Sequence, residues 1–197
     1  MPLQCSLSFA LLALVVGCVS VPPPPADAES PLAYKLPFRA GTRHACIQGG
    51  PGPFGHSRGQ RYALDFEMDV GTPVHAARAG RVTALEEDSA IGGAARKYSG
   101  HANYVHIRHD DGTLAIYLHL QQGAVVVEAG QAVRRGELIA YSGNTGRSAL
   151  PHLHFHVVRR DPASGRMASV PVAFADVAGD GVPRPLRIYE SGNQPPP

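Results

Sequence analysis

The frequent recurrence of glycine and proline is the feature that most limits the fold of this chain. Its 197 residues include 22 Gly and 18 Pro. Both residue types end helices and promote turns, so the apolar runs between them are long enough only for short strands. Even the Ala-rich stretches 74–79 and 90–97 are interrupted by glycine before a stable helix length is reached. The sequence therefore predicts many short strands and no long helix.

Six segments have the length and composition of strands: 62–67, 80–85, 103–109, 114–118, 137–141 and 153–158. The sequence Asp110-Asp111-Gly112-Thr113 between two of them is typical of a β-hairpin turn. We therefore expect an all-β fold.

Composition bounds the class of protein. An apolar content of 44% and a net charge of +2 suit one folded domain of ordinary size and argue against disorder throughout. With 18 Lys and Arg against 16 Asp and Glu, no basic excess is left to neutralise phosphates. We expect no nucleic-acid partner.

The N-terminus has the features of an export signal. The apolar run 7–16 is too short to span a bilayer but matches a signal-peptide core. Val15-Val16-Gly17-Cys18 resembles the bacterial lipobox, in which the cysteine thiol is lipidated before cleavage. We expect residues 1–17 to be a lipoprotein signal peptide and Cys18 to carry the lipid. A plain secretory signal is the alternative.

The segment that follows Cys18 is rich in proline and alanine. Residues 18–33 have no periodicity and predict a stiff, extended tether. Val19 in place of aspartate favours the outer membrane over the inner under the usual lipoprotein sorting pattern. The expected domain then covers residues 34–191, and residues 192–197 are expected to form a disordered tail.

Cys46 would be the one thiol left after cleavage and lipidation, because Cys5 leaves with the signal. Its flanking residues alternate like a strand, which favours a small structural side chain over a nucleophile.

Ten histidines make this composition unusual. In His152-Leu153-His154 a strand would project both imidazoles onto one face, about 7 Å apart, near enough to share a metal ion. His156 continues that face, whereas Leu153 and Phe155 point the other way. Such a pair alone is a weak indication of a metal site.

Further polar residues strengthen the metal hypothesis. Asp65 lies in an otherwise apolar strand, where a charge is costly unless it is paired or bound to a cation. His56 precedes that strand, and His119 ends another apolar strand. An exposed strand position is the alternative explanation for Asp65.

An ordered set of motifs resembles the lysostaphin-type, or LytM-like, zinc metallopeptidases. The similarity extends over residues 34–191, and its parts are 56–66, 71–82, 103–105, 109–112, 117–120, 142–146 and 151–155. The resemblance implies a compact antiparallel β-sandwich or barrel-like domain.

The resemblance also implies roles for five residues. His56, Asp65 and His154 would hold one Zn²⁺ ion, and His119 and His152 would be the catalytic histidines. One departure concerns the first ligand: eight residues separate His56 from Asp65, whereas the family usually has three. His44 and His75 are the alternatives for that ligand.

Zinc-peptidase chemistry suits these residue types. Three protein ligands leave one tetrahedral position for water, as catalytic zinc sites require. His152 is placed to take a proton from that water, and His119 could stabilise the oxyanion or protonate the leaving amine. The sequence leaves open which histidine does which.

The remaining histidines and one turn have plainer interpretations. We expect His106 and His109 to be structural or to support the site, with His109 able to line the cleft, and His101 and His156 to be exposed or at an edge. The turn Gly143-Asn144-Thr145-Gly146 is expected to position the His-x-His strand.

The resemblance implies hydrolysis of peptide cross-links in bacterial peptidoglycan by an exported, lipid-anchored enzyme on the periplasmic face of the outer membrane. The alternative is a non-enzymatic LytM-like regulator that binds and activates a cell-wall amidase. Such regulators typically lose zinc ligands, whereas all five positions are filled here.

Overall fold

The structure is a computed structural model that describes residues 34–50, 56 and 58–194. The predicted signal peptide, Cys18 and the tether lie outside the described residues. The described ranges contain eleven strands: β1 Arg43–Gly49, β2 Leu64–Glu67, β3 Pro73–His75, β4 Gly80–Glu86, β5 Asn103–Arg108, β6 Leu114–Val125, β7 Ala132–Val133, β8 Leu138–Ser142, β9 His152–Arg160, β10 Met167–Val170 and β11 Arg187–Glu190.

The described strands form one antiparallel sheet. Its main path runs β11-β1-β2-β9-β6-β5-β4-β7, β10 extends it beside β9, and β8 joins β3 to β6. Two 3-10 turns, Arg58–Gln60 and Arg96–Tyr98, are the only helical segments in this part of the chain. The predicted all-β antiparallel class is confirmed, and the sheet is continuous and branched.

The strand predictions agree with the sheet in position and differ in length. All six predicted strands are present, and the β5–β6 hairpin turns at Gly112, whose φ is +78°. β6 continues to Val125, beyond the predicted end at Leu118. The short strands β3, β7, β10 and β11 were not predicted, because two to four residues carry too little pattern to be recognised.

The core lies on one face of the central strands. Phe155 of β9 contacts the rings of Tyr117 and Phe174, with centroids 5.1 and 5.8 Å apart. Tyr117 is fully buried, and its hydroxyl accepts a hydrogen bond from Ala77 N at 2.9 Å. Because side chains alternate along β9, this apolar face leaves the histidines on the other side.

The C-terminal boundary of the domain differs from the prediction. Asn193, which the sequence places in the disordered tail, is fully buried. Its side-chain amide donates hydrogen bonds to Leu36 O at 3.0 Å and to Ala76 O at 3.1 Å. Buried polar groups persist where they are hydrogen-bonded, so Gly192 and Asn193 pack onto the domain although their composition resembles a tail.

Within the described ranges, no helix has the length and apolar character needed to cross a membrane.

Candidate metal centre and catalytic cleft

The pairing register of β2 and β9 brings the central residues of the site together. Asp65 lies directly opposite His154 in this antiparallel pair, and Glu67 lies opposite His152. Directly opposed residues place their side chains on the same face, about 5 Å apart. The carboxylate and the histidines of β9 therefore meet without any loop.

Asp65 is the point on which three histidines converge. Its Oδ1 lies 2.9 Å from His154 Nδ1 and 3.7 Å from His152 Nε2, and its Oδ2 lies 3.1 Å from His56 Nε2. The His56 and His154 rings are nearly perpendicular, with centroids 4.8 Å apart. Asp65 and His154 are buried, and the His56 side chain is only 10% exposed.

The first histidine of the site is His56. The structure brings it to Asp65 despite the longer spacing. His44 lies instead against Phe38, with its Nδ1 3.0 Å from Glu67 O, and His75 Nδ1 lies 2.8 Å from Gly136 O. Neither of these two histidines belongs to the group of possible metal ligands that contains Asp65.

His119 reaches the same cleft through a β-bulge. The register of β5 and β6 shifts where Asn103 pairs with Leu120 and Tyr104 pairs with Leu118, which leaves His119 as the extra residue. Its φ is +66°, in the left-handed region that non-glycine residues rarely adopt. Bulges redirect side chains, and this one places His119 against His152, with ring centroids 4.6 Å apart.

Two backbone carbonyls fix the orientation of these two histidines. His119 Nδ1 donates to Thr145 O at 2.7 Å, and His152 Nδ1 donates to Leu150 O at 2.8 Å. Ser148 Oγ also donates to Leu150 O, at 2.7 Å, and lies 3.0 Å from His152 Nδ1. With each proton on Nδ1, each Nε2 keeps its lone pair.

The turn after β8 therefore has a wider role than predicted. We expected residues 143–146 to position the His-x-His strand, but Thr145 holds His119. Thr145 Oγ1 also donates to Leu120 O and accepts from Asn103 N, which ties the turn to the bulge on both sides.

Burial and hydrogen bonds shift the pKa values of the buried site residues. Burial by itself would raise the pKa of Asp65, but hydrogen bonds from His154 and His56 outweigh it and hold that pKa well below its usual range. Burial and the neighbouring imidazoles of His152 and His154 lower the pKa of His119 to about 3. Burial likewise lowers the pKa of His154. Near neutral pH, an anionic Asp65 faces neutral His119 and His154.

The donor set fits a divalent metal of the zinc type. One donor atom from each of His56, Asp65 and His154 lies within 4.8 Å of the others. Tetrahedral zinc with bonds of about 2.0–2.2 Å has ligand atoms about 3.4 Å apart. The separations found here are close to that value: 2.9 Å from His154 Nδ1 to Asp65 Oδ1, and 3.1 Å from His56 Nε2 to Asp65 Oδ2. His56 faces the carboxylate through Nε2, and its Nδ1 is buried without a hydrogen-bond partner among the described residues.

All five predicted site residues line one cleft of about 640 Å³. Ile47, Leu118 and Leu150 contribute apolar walls, and Gln48, Gln60 and Arg147 contribute polar groups. Arg147 and the two glutamines were not singled out from the sequence, because their place in the cleft depends on tertiary contacts that no local pattern specifies.

One histidine prediction differs from the structure. His156 was expected at an exposed or edge position but is buried, with its Nδ1 3.0 Å from His154 Nε2. β10 pairs along the end of β9, and His156 lies opposite Ile116 on β6, so β9 is an interior strand. His109 is buried, with its Nδ1 2.7 Å from Ala79 O, in agreement with the structural role predicted for it and not with the alternative of a cleft residue.

The remaining predictions about histidine and cysteine agree with the structure. His101 is exposed. Cys46 is fully buried and free, and burial raises the pKa of its thiol to about 12. A thiol that stays protonated is a poor nucleophile, in line with a structural role.

A carboxylate between two histidines, with two further imidazoles beside it in an open cleft, is typical of metal-dependent hydrolases. The sequence profile of peptidase family M23 matches residues 59–164. The chain belongs to peptidase family M23. His56 lies just before the matched range, so its assignment depends on the geometry described above.

Named relatives share this region. Peptidoglycan DD-endopeptidase ShyA of Vibrio cholerae is 39% identical over 110 residues, which cover 55% of this chain and 23% of ShyA. Lysostaphin of Staphylococcus simulans is 35% identical over 133 residues, which cover 67% of this chain and 24% of lysostaphin. This chain thus spans about a quarter of the length of these relatives.

A solved structure supports the fold. The catalytic domain of the prophage-encoded M23 protein EnpA from Enterococcus faecalis superposes with a TM-score of 0.52 at 21% identity. The match covers 68% of this chain and 93% of that domain.

Proposed function

We propose that this protein is a zinc-dependent endopeptidase that hydrolyses peptide cross-links of bacterial peptidoglycan. One observation carries the proposal: the Asp65 carboxylate lies within 3.1 Å of ring nitrogens of both His56 and His154, with His119 and His152 beside it in the same cleft. Membership of the M23 family supports peptidase activity, and the name of the relative peptidoglycan DD-endopeptidase ShyA supports peptidoglycan as the substrate.

His56, Asp65 and His154 would hold a single zinc ion through Nε2, a carboxylate oxygen and Nδ1. When bound, zinc would polarise the scissile carbonyl and lower the pKa of a coordinated water to about 7. Three protein ligands leave the position that this water needs.

His152 is proposed as the general base. Its Nδ1–H donates a hydrogen bond to Leu150 O, so the unprotonated Nε2 faces the Asp65 carboxylate, 3.7 Å from Oδ1. A nitrogen in that position can accept a proton from the attacking water and later deliver it to the leaving amine.

His119 is proposed to stabilise the oxyanion. Its ring lies 4.6 Å from His152 and 5.8 Å from His154 by centroids. To donate to an oxyanion, Nε2 must carry a proton, and the developing negative charge favours that protonated ring while Nδ1–H stays bound to Thr145 O. The positive-φ bulge holds it in place before substrate arrives.

The experiment is a digestion of purified sacculi. We expect the purified protein to contain one zinc per chain and to release soluble peptides while the cross-linked muropeptide fraction falls. A chelator should stop the reaction, and added Zn²⁺ should restore it. A folded protein that binds no zinc and leaves cross-links intact would contradict the proposal, and the alternative of an amidase activator would then be tested by adding candidate amidases to the same sacculi.

We also propose that Cys18 carries a lipid that anchors the protein, through residues 18–33, to the periplasmic face of the outer membrane. The lipobox-like sequence at 15–18 supports this. Multiple acyl chains give stable anchoring, since each buried methylene contributes about 0.8 kcal/mol. Replacing Cys18 with Ser should move the protein from the membrane to the soluble fraction in cell fractionation, and unchanged membrane association would refute the anchor.

A further inference from the structure

His156 is a buried histidine that the proposed reaction does not use. It follows His154 by two positions on β9 and is 5% exposed. Its side chain lies on the histidine face of the sheet because strand residues two apart share a face. Nothing in the proposed mechanism needs a third imidazole at this point of β9.

The contact between His156 and His154 is specific. His154 Nε2 lies 3.0 Å from His156 Nδ1, and the rings meet edge to face with centroids 5.0 Å apart and planes at 78°. The other nitrogen of His154, Nδ1, lies 2.9 Å from Asp65 Oδ1. Both nitrogens of His154 are therefore committed, one toward the carboxylate and one toward His156.

The protonation of His154 follows from this arrangement. A neutral imidazole has one N–H and one lone pair. Without a metal, His154 Nδ1–H donates to Asp65 Oδ1. If Nδ1 is instead to offer its lone pair to a cation beside Asp65, the proton must reside on Nε2. A buried Nε2–H requires an acceptor, and His156 Nδ1 is at hydrogen-bond distance.

We propose that His156 is a positioning residue for the metal ligand: it accepts a hydrogen bond from His154 Nε2–H and so fixes the tautomer and ring orientation in which His154 Nδ1 binds zinc. This inference rests on the proposed zinc site. Ligating histidines generally donate their second N–H to a carboxylate, a carbonyl or water. Here a neighbouring imidazole on the same strand supplies the acceptor, so β9 carries both the ligand and the group that orients it.

Two substitutions of matched shape isolate the acceptor. In His156→Asn, the side-chain oxygen is the same number of bonds from Cα as Nδ1 and can accept the hydrogen bond. His156→Leu has nearly the same shape as asparagine but no acceptor. Loss of an orienting partner commonly weakens metal binding by about 10- to 100-fold. We expect that loss in His156→Leu and retention of zinc affinity within a few-fold in His156→Asn.

His106→Leu is the control. His106 and His156 both lie opposite Ile116, on either side of β6, and so share the same face of the sheet. His106 is half-buried, its ring stacks on Tyr104 with centroids 4.5 Å apart, and it is not one of the three proposed ligands. Its replacement removes a histidine from this face while both partners of the His154–His156 contact remain, so zinc affinity should stay at the wild-type value.

The measurement is competition for Zn²⁺ between the metal-free protein and a chromophoric chelator, together with thermal unfolding of the metal-free proteins by circular dichroism. Weaker zinc binding in His156→Leu, rescued by His156→Asn, supports the inference. Wild-type affinity in His156→Leu overturns it, and so does equal weakening in both variants, which would indicate packing. If wild-type protein itself binds no zinc, the proposed function fails, which is a different result.

Discussion

At the residue scale, the site depends on the pairing of one carboxylate with several imidazoles. An isolated anion at the position of Asp65, which is 5% exposed, would be strongly destabilising. His56 and His154 offset that cost by hydrogen bonding. The same contacts place the donor atoms of the three residues at separations that suit a metal ion. One arrangement therefore both stabilises the buried carboxylate and forms the candidate metal site.

The proposed division of labour between His152 and His154 predicts different effects of removing each. His154→Ala should abolish zinc binding and turnover together, because a ligand is lost. His152→Ala should lower turnover by about 100-fold or more while zinc is largely retained, because the ring accepts protons and binds no metal. Zinc content by atomic absorption and peptide release from sacculi measure the two effects, and equal zinc loss in both variants would contradict the assignment.

The φ of +66° at His119 predicts an unusual order of stability. His119→Ala and His119→Gly both lose the hydrogen bond to Thr145 O, but only alanine keeps the strain of the left-handed region. We expect the glycine variant to be more stable by about 1 kcal/mol in urea unfolding.

His106 provides the comparison for that test, since it lies on β5 without a positive φ. There, His106→Gly should be less stable than His106→Ala, the ordinary order within a strand. The same order at position 119 would show that the bulge is not strained.

At the element scale, β9 provides two of the five site residues, and the adjacent strands β2 and β6 provide Asp65 and His119. The turn after β8 connects to His119 through Thr145 O and to His152 through Ser148. Because these are backbone and buried hydrogen bonds, a distortion of the turn should affect stability and activity together.

Gly146 is where that dependence can be tested. Its φ is +74°, and a Cβ built there would lie 2.6 Å from the Cβ of Ala102. Gly165 has a similar φ of +67° with no atom within 4 Å of such a Cβ. Gly165→Ala should cost only the backbone strain, about 1 kcal/mol, and leave activity unchanged. Gly146→Ala should cost a further ~1–3 kcal/mol and reduce sacculus digestion. Equal losses of stability would show that the turn accommodates the extra methyl.

At the scale of the whole molecule, stability should depend on pH through histidines that are buried in neutral form. His109 is 3% exposed, and burial, assisted by the charge of Arg78, lowers its pKa from 6.5 to about 4. The unfolded chain therefore binds this proton more readily between pH 4 and 6.5. The stability that the folded state gains from neutral, buried His109 is complete above pH 6.5 and is lost as the pH falls toward 4.

His109→Asn tests this dependence, because the asparagine amide can donate to Ala79 O as Nδ1 does but does not titrate. In metal-free protein, the fall in the free energy of unfolding between pH 6.5 and 4 should be smaller in the variant by up to about 3 kcal/mol. Denaturant unfolding at a series of pH values measures it. Identical pH dependence in both proteins would mean that His109 is not neutral and buried in solution.

The sequence by itself determined everything that depends on local periodicity. Alternation along β9 places His152 and His154 on one face and Phe155 on the other, since successive strand residues point to opposite sides. The turn at 110–113 predicted the β5–β6 hairpin for a similarly local reason. The resemblance to a known family then supplied the partners, His56, Asp65 and His119.

Only the tertiary structure decided how distant residues meet. The approach of His56 to Asp65, the bulge that redirects His119 and the packing of Asn193 all depend on contacts between segments far apart in sequence. The burial of His156 has the same origin: β2, β6 and β10 all pair with β9, and no pattern within β9 reveals how many neighbours a strand will have. Local periodicity fixes the face on which a side chain lies, whereas pairing between strands fixes what that face contacts.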